Sequence, residues 1–388
     1  MKSYFADLHI HIGRTSSGKP VKITASDTLT LENILIEASE HKGINMIGII
    51  DCHVPEILVD LKNAVTRGEC TEIEGGGIKY KNTTLILGTE IEIYDEFCKG
   101  PIHILAYMPT IEKMISFSNW MSSRVTNNTL SSQRMYENGR VLQRKVKELG
   151  GLFIPAHIFT PHKSLFGSGV KKSLTEVFDP TLIDAVELGL SSDTSMADQL
   201  SELHHYTFVT NSDAHSLPKI AREYQKLRLE EASFTELKKA LAEEHGRGIE
   251  ANYGLNPYLG KYYSTTCEKC GVTKDHDSNI CTMCGCKRFT KGVSNRLHEL
   301  ADFEKKREDR PQYNHQVPLQ FIPGIGPKTL YKLKQAFGTE MNILHETSEE
   351  QLNQIVTGKI SSYILAARAG TLQVKAGGGG VYGKVTGV

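Results

Sequence analysis

Six apolar, strand-like runs in the first two-thirds of the chain each carry a metal-capable side chain inside them or just past their ends. They are Phe5-Ala6-Asp7-Leu8-His9-Ile10-His11, then Met46 to Ile50 leading into Asp51-Cys52-His53, then Leu85 to Leu87 leading into Gly88-Thr89-Glu90. The others are Ile102-His103-Ile104-Leu105, Phe153-Ile154-Pro155-Ala156-His157 and Phe208-Val209-Thr210-Asn211-Ser212-Asp213-Ala214-His215. His-x-His and Asp-x-His spacing puts two side chains on one face of an extended segment, because strand side chains alternate with period 2. A single buried histidine is usually a hydrogen-bonded core residue. Recurrence after six strand-like runs points instead to a cluster at the C-terminal ends of barrel strands, where the active sites of β/α barrels gather. Imidazoles combined with carboxylates suit divalent zinc, manganese or iron, and the pattern implies a polynuclear centre.

These residues resemble the PHP (polymerase and histidinol phosphatase) superfamily, whose distorted β/α barrel holds up to three metals and hydrolyses phosphate esters. The resemblance implies that His9 and His11 form the first ligand motif, His53 the second, and Glu90 the carboxylate bridging two metals. It makes His103 and His157 the middle ligands, and Asp213 and His215 the last. Many family members carry a further histidine shortly after the first motif. This chain reads Gly13-Arg14-Thr15-Ser16-Ser17 there, which leaves Asp51 as an additional candidate ligand. Two or three divalent ions are expected in the barrel, with Asp213, Glu90, His9 and His11 at the chemistry.

The elements that must position these groups alternate β and α, as a barrel requires. Thr30 to Lys42 is amphipathic and stops at Gly43, and Ser131 to Leu149 reads as a long charged helix ending at Gly150-Gly151. Ser233-Phe234-Thr235-Glu236 has capping-box spacing and opens a helix through Glu244. Ile183 to Leu188 reads as a further strand, with Asp193 in the loop beyond it as a cap. Of two loops at the expected catalytic face, Arg14 to Thr24, with Gly18, Lys19 and Lys22, reads first as a solvated turn and second as a holder of a substrate phosphate, and Phe159 to Glu176, with His162, Lys163, Lys171 and Lys172, is a candidate for substrate contact. The barrel is expected over residues 1–252.

Formal net charge is zero, but residues 253–388 carry 18 Lys+Arg against 12 Asp+Glu, so the first part is acidic and the second basic. An acidic half suits metal binding, and a basic half suits a polyanion. No apolar run approaches the roughly 20 residues that cross a bilayer, and Met1 to Asp7 has no signal-peptide core. A cytoplasmic protein without a membrane partner is the expectation, and in that setting the eight cysteines point to metal or free thiols.

Cys267-Glu268-Lys269-Cys270 and Cys281-Thr282-Met283-Cys284 form CxxC–x10–CxxC, a closed tetrahedral Zn2+ site of four thiolates. The insert, with Asp275-His276-Asp277, has too few apolar residues to build a core without the ion, and Cys286 and His276 read as spectators. This zinc module spans 253–291. A charged helical linker, including Lys305-Lys306-Arg307, is expected over 292–318.

Residues 319–388 hold Ile322-Pro323-Gly324-Ile325-Gly326-Pro327-Lys328, which resembles a helix-hairpin-helix. Gly324 and Gly326 allow a tight turn into a helix whose N-terminal N–H groups, with Lys328, meet a DNA phosphate. The glycine-dense tail from Ala376 is either a mobile end or a loop close to DNA.

Barrel, zinc module and hairpin in this order resemble the endonuclease Q family over nearly the whole chain. The resemblance implies a metal-dependent DNA repair endonuclease. It would cut 5′ to deaminated bases (hypoxanthine, uracil, xanthine) and abasic sites, with the damaged nucleotide flipped out of the stack and metal-activated water attacking phosphorus. Two other readings are a small-molecule phosphoesterase of the histidinol-phosphatase kind and a DNA-binding scaffold with an inactive barrel.

Overall fold

The structure is a computed structural model, and it describes residues 1–275, 278–302, 307–375 and 381–387. His276, Asp277, Lys305, Lys306 and the run from Ala376 to Gly380 lie outside the described residues.

Seven strands close the expected distorted barrel: β1 (Lys2–Ile10), β2 (Met46–Ile49), β3 (Thr83–Ile93), β4 (Ile102–Met108), β5 (Leu152–Pro155), β6 (Ala185–Glu187) and β7 (Thr207–Val209). β1, β2 and β3 pair in parallel, as do β6 and β7. Between β5 and β6 the link is a backbone bond from Asp184 to Phe153 and another from Ile158 to Glu187. Ile10 and Ala214 form the bridge that returns β7 to β1. β4 departs from the parallel pattern, running antiparallel to both β3 and β5. Its first residues therefore lie at the mouth where the other strands end, and His103 is the second residue of β4.

The barrel interior is filled by alternate strand residues, among them Leu8, Ile86, Leu105, Ile154 and Val209, all fully buried. Helix Phe234–Leu241 plugs the far end with Phe234, Leu237 and Leu241. Ser233 caps it by accepting from Glu236 N at 3.3 Å. At Gly48 a Cβ would lie 2.2 Å from the Leu8 carbonyl oxygen, so the close approach of β1 and β2 requires glycine there. Tyr107 donates to the same carbonyl at 2.6 Å from across the interior.

Three helical expectations change in detail. Thr30 caps helix Leu31–Ile36, after which Glu37–Lys42 widens into a π turn and ends at left-handed Gly43. The stretch expected as a helix from Ser131 is helical only over Gly139–Glu148, capped by Asn138. Ser131 and Ser132 point instead into the barrel mouth, and Arg134–Met135 pairs with Glu92 and Ile93. The helix after Ser233 ends at Leu241, with a separate turn over Glu244–Gly246.

The main sheet extends beyond the barrel through β8 (Tyr224–Leu229), antiparallel to β1, and β9 (Gly248–Gly254). The next strand, β10 (Gln312–His315), lies in parallel beside β9. β9 thus runs past the expected boundary at 252 and pairs with a strand of the expected linker, and the zinc module enters as an excursion between two neighbouring strands. Within the expected linker, helix Val293–Leu300 docks on the barrel, with Arg296 donating to the carbonyls of Phe166, Val170 and Lys171.

Four helices, Pro327–Phe337, Glu340–His345, Glu349–Ile355 and Gly358–Ala369, form the C-terminal unit. It is seated on the barrel by the buried ion pair of Lys42 with Glu340 at 2.9 Å. A stack of Phe5 on His345, with ring centroids 4.5 Å apart, holds the same face. Among the described residues no helix is long and apolar enough to cross a membrane.

Candidate metal centre

The barrel mouth brings together three overlapping triads: His9, His11 and Glu90; His11, Asp213 and His215; and Glu90, His103 and His157. Within each, the ligand atoms lie within 4.8 Å of one another. His9 is the penultimate residue of β1, His11 lies just past its end, and Glu90 is in the second half of the long β3. His157 and Asp213 follow β5 and β7 in left-handed backbone, at φ 30° and 45°. Non-glycine residues in that region are strained, and strain held at a cluster of polar side chains is characteristic of functional sites.

The spacing fits metal ions. Nε2 of His9 is 3.6 Å from Glu90 Oε1 and 3.6 Å from Asp213 Oδ1; Nε2 of His11 is 3.7 Å from Glu90 Oε2 and 3.5 Å from Asp213 Oδ1. Nε2 of His157 is 3.5 Å from Glu90 Oε1, and Nε2 of His215 is 3.3 Å from Asp213 Oδ1. Ligands at about 2.0–2.2 Å from a tetrahedral ion stand roughly 3.3–3.6 Å from each other. The buried Nε2 atoms of His9, His11 and His103 have no hydrogen-bond partner among the described residues. Three orphaned imidazole nitrogens beside carboxylates are costly unless something accepts their lone pairs.

Each inner imidazole is oriented from behind. His9 donates through Nδ1 to Glu187, at 2.9 and 3.1 Å to its two oxygens. Nδ1 of His11 lies 3.1 Å from Asp51 Oδ2, which also accepts from Ile12 N at 2.8 Å. Asp51, read from the sequence as an additional ligand, thus faces the outer nitrogen of His11. His53 stands apart from the triads: its Nε2 donates to the Leu130 carbonyl at 3.3 Å and its Nδ1 accepts from the Thr89 hydroxyl at 2.7 Å. Burial keeps that ring neutral by lowering its pKa. Both of its nitrogens are hydrogen-bonded in this arrangement.

Glu187 carries no role in the sequence reading, although it ends a strand-like run as the other site residues do. Besides His9 it accepts from Asn211 Nδ2 and from the backbone N–H of His157, both at 2.8 Å. Asp7 does similar work from β1, accepting from the backbone of Ser212 at 3.0 Å and Ala221 at 2.8 Å, and so ties the Asp213 loop to the first strand.

Burial opposes charge at Glu90 and Asp213. The surrounding imidazoles outweigh it, with Lys22 contributing at Glu90, and hold both carboxyls well below the usual range. Burial likewise opposes protonation of His9, yet Glu187, Asp213 and Glu90 push it up to about 10. The site therefore favours positive charge among its imidazoles, and divalent ions would supply that charge.

A cleft of about 340 Å³ opens over these ligands. Its lining also includes Lys219, Arg222, Lys261, Tyr262 and Tyr382. Arg222 donates to the carbonyls of Ser212 and Asp213, bracing the Asp213 turn, and to Tyr382 Oη at 2.8 Å. Of the two loops expected at this face, the first sends Lys22 to Glu90, while Lys19 pairs with Glu56 on the surface. The second places His162 and Lys163 at the cleft, with Lys163 3.0 Å from Glu92.

The four cysteines also converge. Sγ of Cys267 is 3.5 Å from that of Cys284, and Sγ of Cys270 is 3.4 Å from that of Cys281. Gly271 and Gly285, both left-handed, close the two knuckles by bonding back to Cys267 and Cys281. Burial raises the Cys267 thiol, but the N–H groups of Cys270 and Lys269 outweigh it and bring it to about 6, toward the thiolate that zinc requires. Cys286 lies outside the four.

In the C-terminal unit Gly324 is left-handed at φ 91°, and Gly326 begins helix Pro327–Phe337 with no side-chain cap. The first N–H groups of that helix are therefore free of a capping side chain, and Lys328 beside them is exposed.

No protein-family model matches the chain. It is 60% identical over 385 residues to YqxK of Bacillus subtilis (strain 168), covering 99% of this chain and 100% of that protein. Among solved structures, the lesion-specific endonuclease PfuEndoQ from Pyrococcus furiosus superposes with a TM-score of 0.86 at 29% identity, over 99% of this chain and 95% of that one. An endonuclease Q complex with a 27-mer duplex, bearing an abasic lesion at the active site, superposes with a TM-score of 0.84 at 28% identity, over 99% and 96%. Barrel, four-cysteine cluster and helical C-terminal unit all fall within these alignments, and the chain belongs to the endonuclease Q family.

Proposed function

We propose that this chain, a metal-dependent endonuclease, hydrolyses the phosphodiester on the 5′ side of deaminated bases (hypoxanthine, uracil, xanthine) and of abasic sites in DNA. Glu90 carries the reading: its two oxygens face different imidazoles, His9 and His157 on one side and His11 on the other, in a cleft whose lining includes Lys219, Arg222 and Lys261. Divalent ions held there by His9, His11, Glu90, His103, His157, Asp213 and His215 would neutralise phosphate oxygens and acidify a water molecule.

The chain's own residues supply the positioning. Asp213 sets one oxygen 3.3–3.6 Å from the Nε2 atoms of His9, His11 and His215, so that strands far apart in sequence act on one point. Lys219, Arg222 and Lys261 offer charge to the phosphates flanking the cut, and Tyr262 and Tyr382 offer ring faces to an unstacked nucleotide. Flipping costs least where pairing is weak or the base is missing, which favours lesions over intact duplex. Away from the cleft, Gly324, Gly326 and Lys328 would take a backbone phosphate at the helix N-terminus, a contact that positions DNA without reading its sequence.

The test uses end-labelled duplexes carrying inosine, uracil, xanthine, an abasic site or no lesion. Nicking 5′ to the lesion, with the intact duplex uncut, is the expected result. Absence of nicking on all of them, alongside rapid phosphate release from a small ester, would replace the reading with a small-molecule phosphoesterase.

A further inference from the structure

Between His215 and β8 the chain makes a short turn over Leu217–Lys219 with no side-chain cap. The carbonyls of Ser216, Leu217 and Lys219 accept locally, from the backbones of Lys219, Ile220 and Arg222. The Pro218 carbonyl instead takes two side-chain donors from distant parts of the chain: Gln320 Nε2 at 2.9 Å and Lys42 Nζ at 3.2 Å.

Both donors lead to the C-terminal unit. Gln320 sits in the turn Leu319–Phe321, immediately before Ile322-Pro323-Gly324, and Lys42 is ion-paired with Glu340 of helix Glu340–His345. The seating is close: a Cβ at Gly43 would come within 2.4 Å of Oγ1 of Thr339, the cap of that helix. One carbonyl thus joins segments far apart in sequence. It lies between His215 of the metal cluster and Lys219, which lines the cleft.

The ligand end of this segment has its own anchors in the barrel. Ser26 N donates to the His215 carbonyl at 2.9 Å, and Asp7 accepts from Ser212 N at 3.0 Å and from Ala221 N at 2.8 Å. Those bonds hold His215 and Asp213 without help from Gln320. What Gln320 adds is register between the cleft and the base of the Gly324 turn. A duplex gripped at both points must present its scissile phosphate at a set distance from the grip, and a misplacement of about 1 Å costs about 100-fold in rate.

We propose that Gln320 is a positioning residue for cutting: by donating to Pro218 it holds the phosphate grip of the C-terminal unit in register with the metal centre. This rests on the nuclease reading above. In the full chain, Gln320→Leu removes the donor at nearly constant size, and Gln320→His restores one at similar reach. Single-turnover nicking of an abasic duplex is compared with hydrolysis of bis-nitrophenyl phosphate, a diester too small to meet the C-terminal unit, both at saturating Mn2+. Gln320→Leu is expected to slow nicking about 10-fold, a partial loss because Lys42 still holds the same carbonyl. Small-diester hydrolysis is expected at the wild-type rate, and the Kd for the duplex, read by anisotropy, within about threefold because the phosphate contacts remain. Gln320→His should recover most of the nicking rate.

Equal nicking by wild type and Gln320→Leu, or equal losses on duplex and small diester, overturns the proposal. Should Gln320→Leu not unfold cooperatively, Gln320→Ser, polar and too short to reach Pro218, is judged by the same two rates. A wild-type chain that hydrolyses the small diester but nicks no duplex removes the nuclease reading, and the role of Gln320 with it. A wild-type chain that nicks, with Gln320→Leu nicking as fast, removes the role of Gln320 alone.

Discussion

Nδ1 of His9 lies 2.9 Å from Oε1 of Glu187, and both side chains are fully buried. The bond fixes the tautomer, directs Nε2 at Glu90 and Asp213, and makes the imidazole a stronger donor to a metal. Glu187→Gln keeps the shape and removes the charge. Metal affinity of the barrel is expected to fall about 10–100-fold, read by titrating activity with Mn2+ after chelation. Recovery of nicking at high metal separates this from loss of the fold, and an unchanged titration midpoint would count against it.

Asp213 is the strained residue on which His9, His11 and His215 converge. Asp213→Asn retains size and a hydrogen-bonding oxygen but lacks the charge that shares an ion. Nicking is expected to drop by at least roughly 10³-fold, while the Kd for a lesion duplex, measured by fluorescence anisotropy, stays within about threefold because the phosphate contacts are elsewhere. Full activity in this variant would remove the site assignment.

Much of this centre is legible in the sequence because metal ligands at strand ends leave a simple trace: an apolar run, then histidine or a carboxylate at period 2. His9 with His11 and Asp213 with His215 carry it as pairs, Glu90 and His157 singly after such runs and His103 within one, and the triads contain all of them. What is hidden depends on direction and partnership. The antiparallel course of β4 puts His103 at a strand's beginning, and nothing in Ile102-His103-Ile104 tells one end from the other. His53 has the expected spacing, yet Thr89 and Leu130 claim its ring. Glu187 was visible as an acidic residue in an apolar run, Val186-Glu187-Leu188, a pairing that is costly in a core unless the charge is used. The expected helix from Ser131 fails because Ser131 and Ser132 are drawn to His11 and Glu90, contacts no local pattern reveals.

Lys42 and Glu340 join the barrel to the C-terminal unit through a pair that is almost entirely buried. Removing one partner leaves a buried charge without compensation. Glu340→Ala is expected to cost about 3–5 kcal/mol, whereas Lys42→Met combined with Glu340→Leu is expected to recover most of it. Urea denaturation of the three chains measures this. A double variant no more stable than Glu340→Ala would show that the pair does more than neutralise itself.

Glu223 gives the fold a pH dependence of its own. It is fully buried, with Oε1 accepting from Leu255 N at 2.8 Å and Oε2 without a partner among the described residues. Burial pushes its carboxyl up to about 8, so the folded chain keeps a proton that the unfolded chain releases above its ordinary carboxylate range. The unfolded state then binds fewer protons, and stability from this group is lost as pH rises from the ordinary carboxylate range toward about 8. Glu223→Gln mimics the protonated form at every pH. Its Tm should match wild type near pH 5 and exceed it by several degrees near pH 8, for a difference of about 2–4 kcal/mol. A Tm difference that is flat across this range would mean that Glu223 titrates normally and that its burial is relieved in solution.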